Sequence, residues 1–243
     1  MGVTAQPSAT SQTSLISDML DVFNVLHDPV AVFNRVKERP RILAPWIVLS
    51  VAFVVITILT RPYQQAALDA FKTTLTPEQA TRMGAGGTGG GVVGLVLTPV
   101  SVLAALAIGA GVLWMAVAIT GAQARYKTVL SVLAYSCVTY VLFAVVGIVV
   151  LTVRGKQAIT GFADLRAPLG LDLLVPNAGL YLGTVLNGIN PLSVWGVWLA
   201  GTGISITHGT SRSTAIGVTA GAFLLCLLII AAPTLLLGLV TKQ

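Results

Sequence analysis

The chain has 243 residues, of which 55% are hydrophobic and only 9% are charged. A soluble domain usually carries about a quarter charged residues, so most of this surface must face something other than water. The formal net charge is +6. Most positive side chains flank apolar runs, as topogenic and headgroup-contacting charges do, and they form no basic surface of the kind that binds nucleic acid. We therefore expect one membrane domain.

The first 41 residues are too polar to cross a bilayer. Residues 1–13 are small and polar without periodicity, which predicts a disordered tail. Residues 14–41 carry apolar side chains at helical spacing, which predicts amphipathic helices on the cytoplasmic side. The pair Asp28-Pro29 predicts an N-cap followed by proline in the first helical position. We expect these helices to lie on the membrane surface or to pack under the bundle, with a partner-binding helix pair as the functional alternative.

The apolar stretches that follow predict an all-α polytopic membrane protein, a bundle of about five transmembrane helices within residues 42–240. The predicted spans are about residues 43–60, 95–121, 129–153, 191–207 and 214–238. Arg61-Pro62 is expected to end the first span, and Asn190-Pro191 to cap the fourth. The stretch 176–189 is too short to span and is either re-entrant or interfacial.

Several small or polar side chains are candidates for helix packing or partner contact. Gly217 and Gly221 form a small-xxx-small face on the fifth predicted span, and such faces let helices approach closely in lipid. A polar cluster in the third span favours hydrogen bonds between helices over a hydrophilic groove, and it consists of Tyr135, Ser136, Thr139 and Tyr140. The remaining candidates are Asn187, Asn190 and Trp195.

The positions of the basic residues predict the orientation. The candidate topology or headgroup charges are Arg35, Lys37, Arg39, Arg41, Arg125, Lys127 and Arg212. Four of them are packed just before the first span, and two lie in a very short loop. Because the positive-inside rule weights charges in short segments near span ends, the N-terminus is predicted to be cytoplasmic.

No reactive or metal-binding constellation is visible in the sequence. His27 and His208 lie in different segments with no carboxylate or cysteine at ligand spacing. Gly84, Gly86 and Gly89 match a dinucleotide-binding pattern, but no strand precedes them. No charged residue lies in the middle of a predicted span, which weakens the case for an ion-coupled transporter. We predict no enzymatic activity, no cofactor and no metal.

Three segments resemble the bacterial branch of the Yip family, named for Ypt/Rab-interacting proteins. Residues 21–46 resemble its entry segment and read DVFNVLHDPVAVFNRVKERPRILAPW. Residues 124–138 resemble its approach to the third span and read ARYKTVLSVLAYSCV, with matches at Tyr126, Lys127, Tyr135 and Ser136. Residues 190–215 resemble its fourth span and following loop and read NPLSVWGVWLAGTGISITHGTSRSTA, with matches at Asn190, Leu192, Trp195, Gly203 and Ala215.

This resemblance covers roughly residues 20–238 and implies five helices, a cytoplasmic N-terminus and no known catalytic activity. Eukaryotic relatives act in vesicle traffic beside Rab-type GTPases, but the acidic N-terminal motif of that branch has no clear counterpart here. For the bacterial forms, the family suggests membrane adaptors or accessory subunits, sometimes with transport systems. The expected location is then the bacterial cytoplasmic (inner) membrane.

Together these observations favour a non-enzymatic membrane scaffold or accessory subunit of a larger membrane assembly. Its partners would be the lipid bilayer and other membrane proteins, or itself as a homo-oligomer, with no nucleic acid and no metal. The alternative is a small transporter or channel for a neutral or lipidic solute, in which Asn187, Asn190, Tyr135 and Tyr140 would face one another. A third hypothesis is bilayer shaping by the N-terminal helices.

Overall fold

A computed structural model of the chain describes residues 9–76, 92–175 and 178–235. Within these ranges the chain is helical and contains no strand. The α-helices are α1 Ala9–Asn24, α2 Pro29–Glu38, α3 Leu43–Lys72, α4 Val92–Ile119, α5 Tyr126–Ser136, α6 Val138–Arg154, α7 Leu180–Gly188, α8 Pro191–His208 and α9 Arg212–Ala231. Short 3-10 helices occupy Lys156–Ala158, Phe162–Leu165 and Leu171–Leu174. The predicted all-α membrane fold is confirmed.

Four stretches of the described chain are long and apolar enough to cross a membrane. They are Leu43–Lys72, Val93–Ile119, Tyr126–Arg154 and Arg212–Leu235. The predicted span at 191–207 corresponds to α8, which is not among them, so the count of five is not confirmed. At a rise of about 1.5 Å per residue, its 18 residues still extend roughly 27 Å.

The low hydropathy of α8 follows from its position, because this helix is surrounded by protein. It contacts α2, α5, α6 and α9. Nine of its 18 residues are buried, namely Ser193, Gly196, Leu199, Ala200, Gly201, Thr202, Gly203, Ile204 and Thr207. A helix that faces protein on most sides can carry small and hydroxyl-bearing residues in place of the large apolar ones that lipid contact favours.

Glycines on α8 set the distances to its neighbours. A Cβ added at Gly201 would lie 2.8 Å from the Cα of Ile216 on α9. A Cβ at Gly196 would lie 2.5 Å from the hydroxyl oxygen of Thr139, at the start of α6. Nothing lies within 4 Å of the corresponding positions at Gly217 and Gly221. The close approach of α8 and α9 therefore uses the α8 glycines, and the predicted small-residue face points away from the described part of the chain.

The helix that contains the first predicted span is longer than that span. The helix does not end at Arg61-Pro62 but runs through the proline to Lys72. Proline removes one backbone donor, and transmembrane helices tolerate this where nearby hydroxyls and packing compensate. The carbonyl that loses its helical donor is that of Ile58, four residues before Pro62. Beyond the proline, Ala67 is fully buried in a second apolar cluster with Leu151 and Ile159.

Other boundaries also shift. The third predicted span, 129–153, is divided into α5 and α6 by a turn at Cys137, although the two together form one membrane-crossing stretch. The helix α1 begins at Ala9, inside the predicted tail of residues 1–13, and residues 1–8 lie outside the described ranges. The glycine motif at residues 84–89 also lies outside them. Both proline-linked N-caps are confirmed at Asp28 and Asn190.

The stretch predicted as re-entrant or interfacial contains α7. This nine-residue helix packs beside the Leu171–Leu174 turn and against α9. A Cβ at Gly188 would lie 2.3 Å from Leu227, which shows how closely the two helices meet. With the turns that follow α6, α7 covers the end of the bundle at which α3 and α6 finish. We call this the loop end, and the opposite end, which carries α1 and α2, the N-terminal end.

Gly203→Ala should destabilise the fold, because the added Cβ would lie 2.6 Å from Val132 Cγ1 and 2.9 Å from the Phe33 ring. We expect a loss of about 1–3 kcal/mol in the free energy of unfolding, the usual cost of overpacking. The measurement is thermal unfolding of the purified protein in detergent. Gly217→Ala is the matched control, because it gains the same helix propensity with no clash. Equal unfolding temperatures for the two variants would contradict the packing described here.

Candidate functional site

Two ion pairs fix the N-terminal helices to each other and to the start of α3. The Asp21 carboxylate on α1 accepts two hydrogen bonds from the Arg35 guanidinium on α2, from Nε at 2.8 Å and from a terminal nitrogen at 2.7 Å. Such bidentate pairing is stronger and more directional than a single charge contact. Asp18, one turn earlier, pairs with Arg41 at the end of the α2–α3 linker. We call Asp18, Asp21, Arg35, Arg41 and Tyr135 the docking cluster.

The docking cluster changes the interpretation of two predicted topology charges. Hydrogen bonding to the Asp21 carboxylate raises the pKa of Arg35, and hydrogen bonding to Asp18 raises that of Arg41, in both cases against a smaller opposing effect of burial. These two arginines therefore serve an internal contact as well as any effect on orientation. Lys37 and Arg39 are exposed and take no part in these two ion pairs.

Apolar contacts attach the same helices to the bundle. Phe33 is 0% exposed, and its ring lies against Gly203 of α8 and Val132 of α5. Val22 of α1 and Val25, in the turn directly after it, belong to the same core cluster. The Ser131 hydroxyl donates to the Arg41 carbonyl at 2.6 Å, and the Tyr135 hydroxyl to the Asp18 carbonyl at 3.5 Å. The helix pair is thus packed against the bundle.

The opposite side of α1 carries an apolar stripe with no cover in the described chain. Ile16, Leu20 and Phe23 are 60%, 57% and 53% exposed. Their spacing of four and three residues places them on one helical face. We call these three residues the outer stripe. An amphipathic helix already packed on one side needs no second apolar face for its own folding, so the outer stripe is a candidate contact surface.

The remaining predicted charges lie at the same end of the bundle. The Arg212 guanidinium lies 5.1 Å from the centre of the Trp198 ring, a cation–π contact. The Arg125 backbone N–H donates to Nε2 of His208 at 3.3 Å, which joins two short loops. Lys127 is exposed at the start of α5. The N-terminal end therefore gathers all seven predicted topology charges.

The structure does not gather in one place the four polar side chains on which the transport alternative depended. The two asparagines are neighbours at the loop end, where the Asn190 side chain donates to the Asn187 carbonyl at 3.1 Å, and the two tyrosines lie elsewhere. Tyr135 meets Asp18 at the N-terminal end. Asn187 donates to the Ala167 carbonyl at 2.9 Å at the loop end. Asn190 caps α8, accepting from the backbone N–H of Ser193 at 3.0 Å. Tyr140 lies apart from these contacts and lines a cavity between the helices.

Two further candidates have packing roles. The Ser136 hydroxyl donates to the carbonyl of Val132 one turn earlier, at 2.9 Å, so it makes the local helix contact that hydroxyls commonly make in membranes. Trp195 is partly buried against the main core cluster. Within the described ranges, no group of three His, Cys, Asp or Glu side chains could hold a metal.

Sequence reasoning missed the acidic half of the docking cluster. Asp18 and Asp21 are three residues apart on α1 and therefore share a face. This spacing in the sequence could have indicated a pair of carboxylates available for basic partners. Their partners lie 23 and 14 residues further along the chain, and only the packing of α2 decides which arginine each carboxylate meets.

Asp21→Asn should loosen the N-terminal helices, because it weakens the bidentate pair with Arg35 and leaves that guanidinium without its carboxylate. A loss of about 1–2 kcal/mol raises the open fraction roughly 5–30-fold. The measurement is the rate of trypsin cleavage within α2 in the purified protein. Asp69→Asn, which removes the exposed pair with Lys72, is the control and should leave that rate unchanged. Similar rates for both variants would contradict a stabilising role for the Asp21–Arg35 pair.

Comparison with known proteins agrees with this architecture. The family model described as the Yip1 domain matches residues 23–232, from the end of α1 to the end of α9. Membrane protein YknW of Bacillus subtilis (strain 168) is 28% identical over 199 residues, which cover 79% of this chain and 80% of the relative. No solved structure matches the chain. Because the family match extends over the docked α2 and all the long helices of the bundle, the chain belongs to the Yip1 domain family of integral, multi-pass membrane proteins.

Proposed function

We propose that this protein is a non-enzymatic scaffold or accessory subunit of a larger membrane assembly. It resides in the bacterial cytoplasmic membrane with its N-terminus in the cytoplasm. The family membership and the relative described as a membrane protein support a role in the membrane. The specific role rests on the surface of the N-terminal helix pair.

The outer stripe is the observation that carries this proposal. It presents Ile16, Leu20 and Phe23 from a helix whose other side is fixed by ion pairs and by the buried Val22 and Val25. Fixing a helix before it binds lowers the entropy that is lost on association. An exposed apolar face held in one orientation is suited to a specific partner, and a partner helix or groove would bury it.

A second contact face lies on α9. Gly217 and Gly221 leave an open strip on its outer side, followed along the same face by the exposed Leu224, Leu225 and Leu228. In lipid, such a strip allows another helix to approach closely. This face fits a neighbouring membrane protein or a second copy of the chain.

Substitution of the three outer-stripe residues is expected to weaken the binding of a membrane partner. The triple variant Ile16→Ala/Leu20→Ala/Phe23→Ala should reduce co-purification of a stoichiometric membrane partner by about tenfold or more, because three large apolar contacts disappear. The measurement is affinity purification from native membranes in mild detergent, with quantitative mass spectrometry.

The matched control is Val51→Ala/Val55→Ala/Ile58→Ala on α3, which has the same spacing and 60%, 48% and 51% exposure. It should retain the partner, since these residues face lipid in the proposed orientation. A wild-type protein that purifies as a stable monomer, with no partner trapped by crosslinking in native membranes, would contradict the proposed function.

The proposed orientation predicts the labelling pattern of single cysteines in a background with Cys137 and Cys226 changed to alanine. Asn34→Cys and Ser213→Cys should react with an impermeant maleimide only after the membrane is opened. Gln157→Cys should react in intact cells. All three positions are exposed. Reaction of both Gln157→Cys and Ser213→Cys in intact cells would show that α8 does not cross the membrane, and reaction of Asn34→Cys in intact cells would contradict the proposed orientation.

A further inference from the structure

A cavity of about 490 Å³ lies between the long helices. Residues of α3, α4, α5, α6, α8 and α9 all contribute to its walls. Along α4 the lining runs from Thr98 to Leu113, a distance of roughly 22 Å at the usual helical rise. The cavity is therefore elongated along the helices, in the direction that lipid chains take in a bilayer.

The serine and threonine hydroxyls in the walls are already hydrogen-bonded, which leaves the Tyr140 hydroxyl at the exposed edge as the remaining hydroxyl of the lining. Five Ser and Thr side chains line the cavity, and each donates to a carbonyl of the preceding turn of its own helix. They are Thr57, Thr98, Ser101, Ser136 and Thr219. The walls therefore present mainly methyl and methylene groups. A water molecule needs two to four polar partners, so this lining disfavours water and polar solutes.

The dimensions also argue against a helix as the occupant. A helix about 10 Å across and roughly 22 Å long fills roughly 1,700 Å³, which is more than this cavity holds. A single hydrocarbon chain is narrow enough to enter. Ser101, Ala105 and Tyr140 line the cavity and are exposed, so it can be reached from outside the bundle.

We propose that this cavity binds one acyl chain of a membrane phospholipid. The apolar walls replace the contacts that the chain makes with other lipids, and the length of the cavity matches an extended chain. The site does not depend on the accessory role proposed above. Its ligand is set by the walls of the bundle, whereas the partner contact involves the outer side of α1.

Ala105→Phe should empty the site, because the added ring enters the cavity from an exposed position on α4. The purified protein is passed through repeated detergent washes and then measured by native mass spectrometry. We expect the wild-type chain to retain one phospholipid and the variant to retain about tenfold less, since several buried methylenes are displaced. Ala104→Phe is the matched control: it lies next in sequence, is exposed and does not line the cavity.

Photo-crosslinking would locate the bound acyl chain within the protein. A phospholipid with a diazirine near the middle of one acyl chain, reconstituted with the protein in liposomes, should label peptides that contain Cys137 or Cys226, both of which line the cavity. Ala105→Phe should reduce this labelling and leave labelling around the exposed Val149 and Val153 unchanged. The proposal is overturned by equal lipid retention in the Ala105→Phe and Ala104→Phe variants, by a retained mass that is not a phospholipid, or by labelling of the Cys137 and Cys226 peptides that Ala105→Phe leaves unchanged.

Discussion

The architecture depends on how closely other helices can approach α8. In a bilayer, helices gain little by removing apolar surface from lipid, so their association relies on contact distance and hydrogen bonds. Gly196, Gly201 and Gly203 shorten those distances on different sides of one helix, toward α6, α9 and α2. A single methyl group at any of them would meet another atom at less than 3 Å. The rest of the bundle is arranged around this slender helix.

The same packing constraint also positions the helices at the N-terminal end of the bundle. Gly203 admits the Phe33 ring, and this contact sets the position of α2. The Asp21–Arg35 pair then fixes α1 on α2, and α1 carries the outer stripe. The proposed contact surface at the periphery is thus oriented through a series of packing contacts that begins inside the bundle. A substitution at Gly203 would therefore change the position of the outer stripe, although the two are not in contact.

Much of the fold was predictable from the sequence, because caps and apolar runs are local properties. Asp28-Pro29 and Asn190-Pro191 marked helix starts correctly. Whether α8 crosses the membrane was harder to predict. Its small residues lower its mean hydropathy, and the same residues allow the close packing that places it at the centre of the bundle. Gly217 and Gly221 gave a clear motif, but spacing alone does not say whether a face meets the same chain or another molecule. The partners of Arg35 and Arg41 required the tertiary arrangement of α1 and α2.

The length of α3 has a consequence for the far side of the bilayer. Its 30 residues extend about 45 Å, whereas the hydrocarbon core is about 30 Å thick. An upright α3 would therefore rise roughly 15 Å clear of that core. Its last turns are tied to the loop end by Ala67 and by the Phe71–Phe162 ring contact. In that upright orientation the last turns of α3, with the turns packed on them, would project beyond the hydrocarbon on that face, and a molecule approaching from there would meet protein before it reached the lipid.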